Sequence, residues 1–580
     1  MGKPPLAADL MKEATGLVVS GLTVKYRVDG RVVAACEDVS LSVGPGEKLG
    51  LVGESGSGKT TAALSLIGML HPSGEVTAGR AILCGVDLFG LDAETRRSFR
   101  LSQVSYVPQG AMSSLNPVVR VRDQILHGMV DHGIYPESAQ AKRDIDELLV
   151  SVGLSPATGN CFPHELSGGM KQRVCIAAAV ALEPKLIIAD EPTSALDVIS
   201  QQQVMATLDM LQKKHGFALI LIGHDMGLMA QFADRLTVMQ DGRVVEDGTV
   251  REIFQRPRQT YTRTLISSVP TLDTRSSQKL QEKSVDIQLQ FEAAGMTYDG
   301  AGAPALQPIH MQIGGGPARI VAIAGESGSG KTTLGSIALG IARPSHGRVL
   351  YRGNDISKLG RAESKSFRKA VQAIFQDPYA TFNPFYRVDH ALEMPLRKLG
   401  ISKRADEIRA RLEVACEAVG LSPSLILGRY PHALSGGQRQ RLMVARALAI
   451  GPELLVADEP VSMVDASLRL SILNNIRALR DDHNVSVMYI THDLATARAT
   501  ADFVLILRKG RIVEAGRPEE VIDEPQHPYT QKLVDAVPWP DPDRVWKTDC
   551  TEGDFDSPSI YRSTISGFSV TAADMLHESP

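Results

Sequence analysis

A chain of 580 residues is long enough for two to four domains, each burying its own core. Its 43% hydrophobic and 22% charged residues are ordinary for a globular protein, and a net charge of −4 gives no support to a nucleic-acid partner gathered by bulk positive charge. No apolar run approaches the roughly 18–20 residues that span a bilayer, so the sequence predicts no membrane crossing of its own. Residues 1–16 contain prolines and acids but no apolar core, which argues against a signal peptide. Six cysteines (36, 84, 161, 175, 416 and 550) are scattered without a Cys-x-x-Cys pair and read as reduced thiols.

In chain order, the first stretch that carries chemistry follows an apolar run at 49–52. It reads Gly53-Glu54-Ser55-Gly56-Ser57-Gly58-Lys59-Thr60 and opens a helix-favouring segment at 61–70. Strand, glycine loop and helix together are the context of a phosphate site. The glycines let backbone N–H groups turn inward around phosphate oxygens, and the helix start adds partial positive charge. Lys59 is expected to reach the β- and γ-phosphates and the Thr60 hydroxyl to take a place on Mg²⁺, with Thr61 completing the binding turn. The octet recurs as Gly325-Glu326-Ser327-Gly328-Ser329-Gly330-Lys331-Thr332, followed by Thr333, again after an apolar run at 320–324.

The recurrence extends along the chain. Lys59 and Lys331 stand 272 positions apart, as do Tyr26 and Tyr298; Gln109 and Gln376 are 267 apart. Leu-Ser-Gly-Gly at 166–169 returns at 434–437, Asp190-Glu191-Pro192 at 458–460, and His224-Asp225 at 492–493, all shifted by 268. Tyr261-Thr262 and Val269-Pro270 recur at the same shift. So long a period marks tandem duplication of a whole domain rather than a solenoid.

Each copy reads as α/β. Short apolar runs at 186–189, 219–222, 454–457 and 485–490 look like buried parallel strands. Ile145, Leu148, Leu149 and Val152 fall at helical spacing, and Ile408, Leu412, Cys416 and Val419 nearly so. After each histidine two strands are expected around tight turns at Asp241-Gly242 and Lys509-Gly510. The expected layout is a first domain at 1–270, a linker at 271–290 that is polar and aperiodic over 271–284, a second domain at 291–540, and an acidic, Ser/Thr-rich tail at 541–580 without a clear pattern.

The strand ends supply the remaining chemistry. Asp190, at the carboxyl end of its strand, can hold Mg²⁺, and Glu191 can orient or deprotonate an attacking water. His224 is placed to contact the γ-phosphate, and Gln109, after the short strand at 104–107, can reach Mg²⁺ or the water. Asp458, Glu459, His492 and Gln376 repeat the set. Leu-Ser-Gly-Gly precedes a helix rich in Gln, Arg and Ala in each copy, making Ser167, Gly168, Gly169, Ser435, Gly436 and Gly437 a second anion-binding helix start.

This order of Walker A, Q-loop, signature, Walker B, D-loop and H-switch resembles the nucleotide-binding domain of ABC ATPases, over residues 17–270 and 291–540. The resemblance implies an α/β fold of two tandem P-loop domains, each with a mainly parallel core sheet, an antiparallel β subdomain and a helical subdomain. It implies two ATPs, each bound by one copy's Walker motifs and the other's signature: Lys59 and Glu191 with Ser435 and Gly437, Lys331 and Glu459 with Ser167 and Gly169. Tyr26 and Tyr298 match the position that stacks on adenine.

A finer resemblance comes from Ser114-Leu115-Asn116-Pro117, Phe382-Asn383-Pro384 and His527-Pro528-Tyr529-Thr530-Gln531-Lys532-Leu533. These are similar to ATPases of the oligopeptide/dipeptide/nickel importer family, some of which fuse the two copies in one chain. That family implies a peripheral motor on the cytoplasmic face of the inner membrane. Its partners are two integral-membrane permeases and an extracytoplasmic substrate-binding protein, with no direct nucleic acid and membrane contact through the permeases only. The solute expected is a peptide, an oligosaccharide or a metal complex. The alternative is a soluble twin-ABC ATPase acting on ribosomes or DNA, whose relatives usually carry a long charged linker. Two departures stand out: only Cys550 lies where members often carry an iron–sulfur cysteine cluster, so no cluster is expected, and Gly110-Ala111-Met112 stands where copy two has Asp377-Pro378.

Overall fold

The structure, a computed structural model, describes residues 16–28, 30–110, 114–134, 138–194, 196–269, 288–300, 302–376, 381–461, 466–544, 546, 555, 557–562 and 564–572. These fall into two compact units, one within Met1–Val269 and Pro538–Cys550, the other within Pro270–Val537 and Thr551–Pro580. Among the described residues no helix is long and apolar enough to cross a membrane.

In the first unit the central sheet runs Arg243–Thr249, Arg235–Gln240, Lys48–Val52, Ala218–Gly223, Leu186–Asp190, Val104–Val107. All neighbours are parallel except the first pair. Leu186–Asp190 and Ala218–Gly223 are buried along their whole length, as strands covered on both faces must be. Truncating one of their isoleucines to alanine would cost about 2–5 kcal/mol. Asp190 ends one of these strands, His224 follows the other, and Lys48–Val52 runs into the glycine loop. Parallel pairing brings these three carboxyl ends to the same end of the sheet, where open α/β sheets bind ligands.

An antiparallel sheet, in the order Arg31–Val43, Leu17–Val28, Gly74–Leu83, Val86–Asp87, packs Val24, Cys36, Val39 and Val43 into one core with Leu49, Ala62 and Ile220. The helices Val121–Val130, Ser138–Ser151 and Gly168–Val180 share another through Ile125, Ile145, Leu149 and Val174. Ile145, Leu149 and Val152 are buried and Leu148 partly so, as their spacing predicts. Near the end of the chain, Trp539 is buried in this unit, its carbonyl accepting from Gln231 Nε2 at 3.0 Å, and Asp543 pairs with Arg251.

The second unit repeats both sheets in the same order and extends each by one strand. Ile560–Tyr561 pairs in parallel with Arg511–Gly516, and Phe568–Ala572 pairs antiparallel with Leu306–Gly314. Part of the patternless tail is therefore strand. Its described strands are 2 and 5 residues long, too short to announce themselves by alternation. Each unit has the three expected parts: a mainly parallel sheet, an antiparallel sheet and a helical region.

Candidate nucleotide sites

The glycine loops are shaped by contacts that exclude a side chain. Gly53 and Gly325 have φ of 153° and 151°, and a Cβ would lie 2.2 Å from Met239 O and from Leu507 O. Gly58 and Gly330, at φ 96° and 104°, cap the helices Lys59–Leu66 and Lys331–Ala338. The hairpin turns support the loops from behind: Gly242 N–H donates to Ser57 O at 3.2 Å, and Gly510 N–H to Ser329 O at 2.9 Å. Ser55 and Gly56 are exposed at the lip, as are Ser327 and Gly328.

Lys59 and Lys331 are buried, and each ammonium donates to two loop carbonyls. Lys59 Nζ reaches Gly53 O at 2.8 Å and Glu54 O at 2.7 Å; Lys331 Nζ reaches Gly325 O and Glu326 O at the same two distances. A phosphate entering the loop meets a cation already held there, which strengthens its hydrogen bonds.

Around Glu191 the predicted residues converge. Oε1 lies 3.0 Å from His224 Nδ1, while Oε2 accepts from Gln109 Nε2 and from Ser194 Oγ, both at 2.7 Å. In the second unit Glu459 Oε1 lies 2.9 Å from His492 Nδ1, and Oε2 accepts from Gln376 Nε2 at 2.8 Å. Both glutamates sit at positive φ, 44° and 46°, in a region that non-glycine residues seldom occupy. Their N–H groups donate to Ile222 O and Ile490 O at 2.9 Å, anchoring the strained residue to the next strand.

Burial opposes ionisation of Glu191, but the hydrogen bond and charge of His224, with Ser194 and Lys59, outweigh it and bring its pKa down to about 2. Asp190 and Asp458 move the other way, raised chiefly by burial.

The residues fit a divalent cation at Asp190. Its Oδ2 accepts from Tyr106 OH at 2.9 Å, whereas Oδ1 is buried and makes no hydrogen bond, although Thr60 is near enough to favour the charged form. A buried carboxylate oxygen left in this way has capacity for a cation. Among the described residues no group of three or more His, Cys, Asp or Glu could hold a metal.

Other expected residues lie apart from this cluster. Tyr26 is half-buried on strand Leu17–Val28 and packs on Gly74, whereas Tyr298 is exposed and its hydroxyl lies 3.4 Å from Thr333 Oγ1. Ser167 caps helix Gly168–Val180, accepting from Met170 N–H at 3.3 Å, and Ser435 caps Gly436–Ile450, accepting from Gln438 N–H at 3.2 Å. Of the linker expected at 271–290, residues 271–287 lie outside the described residues and 288–290 begin strand Gln288–Met296; the second D-loop (Ser462, Met463, Val464 and Asp465), Asp377, Pro378, Ala111, Met112 and Cys550 also lie outside them. Sequence reasoning missed Tyr106, because its counterpart in the repeat is Ala373, and missed what Ser194 does for Glu191.

Comparison with known proteins agrees with this geometry. The ABC transporter family model matches residues 36–194 and 306–462, and the oligopeptide/dipeptide transporter C-terminal region matches 245–294 and 513–554. The chain is 37% identical to a glutathione import ATP-binding protein of Salmonella choleraesuis, over 91% of this chain and 90% of that protein. It is 36% identical to a peptidoglycan transport ATP-binding protein of Agrobacterium fabrum, over 90% and 96%. An archaeal ribosome recycling factor, solved with a ribosomal stalk protein, shares the fold at 20% identity and a TM-score of 0.56, over 85% of this chain and 89% of its own. With its two nucleotide-binding domains and the C-terminal region that follows each, the chain belongs to the ABC transporter family, as an ATPase of the oligopeptide/dipeptide type.

Proposed function

We propose that the protein is the ATP-hydrolysing motor of an importer for peptides or a related small solute such as an oligosaccharide or a metal complex. It works on the cytoplasmic face of the membrane with two permease subunits and an extracytoplasmic substrate-binding protein. The observation that carries this reading is the pairing of each ABC domain with an oligopeptide/dipeptide transporter C-terminal region, in a chain that aligns along nine-tenths of its length with import ATP-binding proteins.

Within this reading, Gly53–Thr61 and Gly325–Thr333 cradle the phosphates, with Lys59 and Lys331 neutralising charge. Mg²⁺, when bound, would supply positive charge to the phosphates; Thr60, Gln109 and Asp190 would hold it in one domain, and Thr332, Gln376 and Asp458 in the other. Glu191 and Glu459 orient the attacking water, and His224 and His492 hold those carboxylates. Tyr26 and Tyr298 stack on adenine. The signature turns at Ser167–Gly169 and Ser435–Gly437 offer further N–H donors to phosphate.

Contact with permeases is supported by exposed apolar side chains in the stretch around and after Gln376. Phe375, Phe385 and Tyr386 are exposed there, Phe385 by 85%, and Val118 is exposed in the corresponding stretch of the first domain. The test is affinity purification of the full chain from detergent-solubilised membranes. Recovery of two integral-membrane permeases supports the reading, whereas co-sedimentation with ribosomes in their absence overturns it.

A further inference from the structure

One contact, present in both domains, ties each glycine loop to a residue without an assigned role so far. The N–H of Glu54, second residue of the first glycine loop, donates to the hydroxyl of Tyr261 at 3.0 Å; the N–H of Glu326 donates to Tyr529 at 3.1 Å. Each tyrosine is the second residue of a short helix, Thr260–Ser267 or Pro528–Asp535. A buried carboxylate fixes the start of each helix. Glu246 accepts from the N–H groups of Arg258 and Gln259 at 2.7 and 3.1 Å, and Glu514 from those of Gln526 and His527, both at 3.1 Å. Lys59 and Lys331 hold the carbonyls of the same Glu54 and Glu326. The peptide groups on either side of one loop residue are thus gripped, by the lysine on one and by a phenol from the C-terminal region on the other.

We propose that Tyr261 and Tyr529 are positioning residues that keep the glycine loops in their phosphate-ready shape while the lysines exchange loop carbonyls for phosphate oxygens. The inference rests on the reading of these loops as phosphate sites. When a phosphate draws the ammonium away, the Glu54 carbonyl loses its partner and the phenol remains to hold that residue. A loop held in its bound shape binds more tightly, because less order must be imposed on it. The role belongs to ground-state binding, so its loss raises KM and leaves kcat alone.

The experiment is steady-state ATPase and titration of a fluorescent ATP analogue on the full chain carrying Tyr261→Phe and Tyr529→Phe together, with Lys59→Ala plus Lys331→Ala in parallel. Removing only the hydroxyls should raise the ATP KM and the analogue Kd by about 3–10-fold, as expected for one ordinary hydrogen bond per site, with kcat within about twofold. A merely structural role would lower kcat through loss of active protein and leave KM unchanged, and that outcome overturns the proposal. So does an unchanged Kd in the tyrosine variant when the lysine variant has lost affinity. If the lysine variant binds as the parent does, the phosphate-loop reading fails first and the proposal with it. The two single tyrosine variants, each leaving one domain intact, apply the same criteria should the double variant not fold.

Discussion

Nδ1 of His492 lies 2.9 Å from Oε1 of Glu459. Burial disfavours the imidazolium, but the hydrogen bond and charge of Glu459 outweigh it, so His492 is raised above its ordinary 6.5; Glu459 is lowered despite its own burial. Each partner favours the charged form of the other. Stability contributed by the raised histidine is fully present below about pH 6.5 and lost as pH rises through its folded value. That contributed by the lowered glutamate is present above the ordinary carboxylate range and lost as pH falls. Histidine-labelled protein followed by NMR should show one imidazole, assigned by its disappearance in His492→Gln, that titrates above 6.5; titration at or below that value would refute the pairing.

Replacing Glu191 and Glu459 together with glutamine should abolish turnover while preserving ATP binding. The amide keeps shape and hydrogen-bonding reach but loses the charge that orients water, and a loss of about 10²–10⁴-fold in kcat is expected. Turnover near the parental rate would remove the glutamates from the mechanism.

The two sites should differ in rate, the Lys59 site being the slower. Thr491, before His492, accepts from Asp493 N–H at 3.0 Å, and Asp493 in turn caps helix Leu494–Thr500 through Ala495 and Thr496. The corresponding residue before His224 is Gly223, which has no side chain to give its Asp225 that support. Looser backbone at Gly223 should aim His224 less well, at a cost of about 1–2 kcal/mol in barrier, or roughly tenfold. Singly, Glu459→Gln should therefore reduce ATPase activity more than Glu191→Gln in the assembled transporter; equal losses or the reverse order would count against it.

Isolated protein should hydrolyse ATP slowly and accelerate on assembly with permeases and loaded binding protein. Gln109 donates to Glu191 and Gln376 to Glu459, and Gln376 follows the exposed Phe375, so a partner pressing on that side chain can shift the glutamate's surroundings. An isolated chain already at the assembled rate would contradict coupling through this route.

Much of this site was legible because its residues lie at strand ends in a fixed order, twice. Parallel pairing alone carries Asp190, Glu191 and His224 to the loop, so order along the chain becomes proximity in space. Tyr106 was not legible, because one tyrosine in a four-residue strand carries no periodic signal and the repeat does not preserve it. The tyrosines at 261 and 529 were visible as a recurrence, yet nothing in the sequence said that they meet the glycine loop some 200 residues earlier. The tail strands were hidden for a further reason: they take their pattern from the strands they join.

Those tail strands have a colloidal consequence. Without Ile560–Tyr561, strand Arg511–Gly516 would present an open row of backbone donors and acceptors; without Phe568–Ala572, so would Leu306–Gly314, which it covers from Ile313–Phe568 to Ile309–Ala572. Bare margins of this kind recruit strands from other chains. Phe568 seals one of them firmly, its ring 5.2 Å from that of Phe503 and 4% exposed. The last stretch of the polypeptide thus serves as a selvedge along one margin of each sheet in the second domain, replacing a longer edge with strands of only 2 and 5 residues, the short form in which an edge recruits least. A chain ending near residue 556 would keep both glycine loops and leave the longer strands Arg511–Gly516 and Leu306–Gly314 open at these margins.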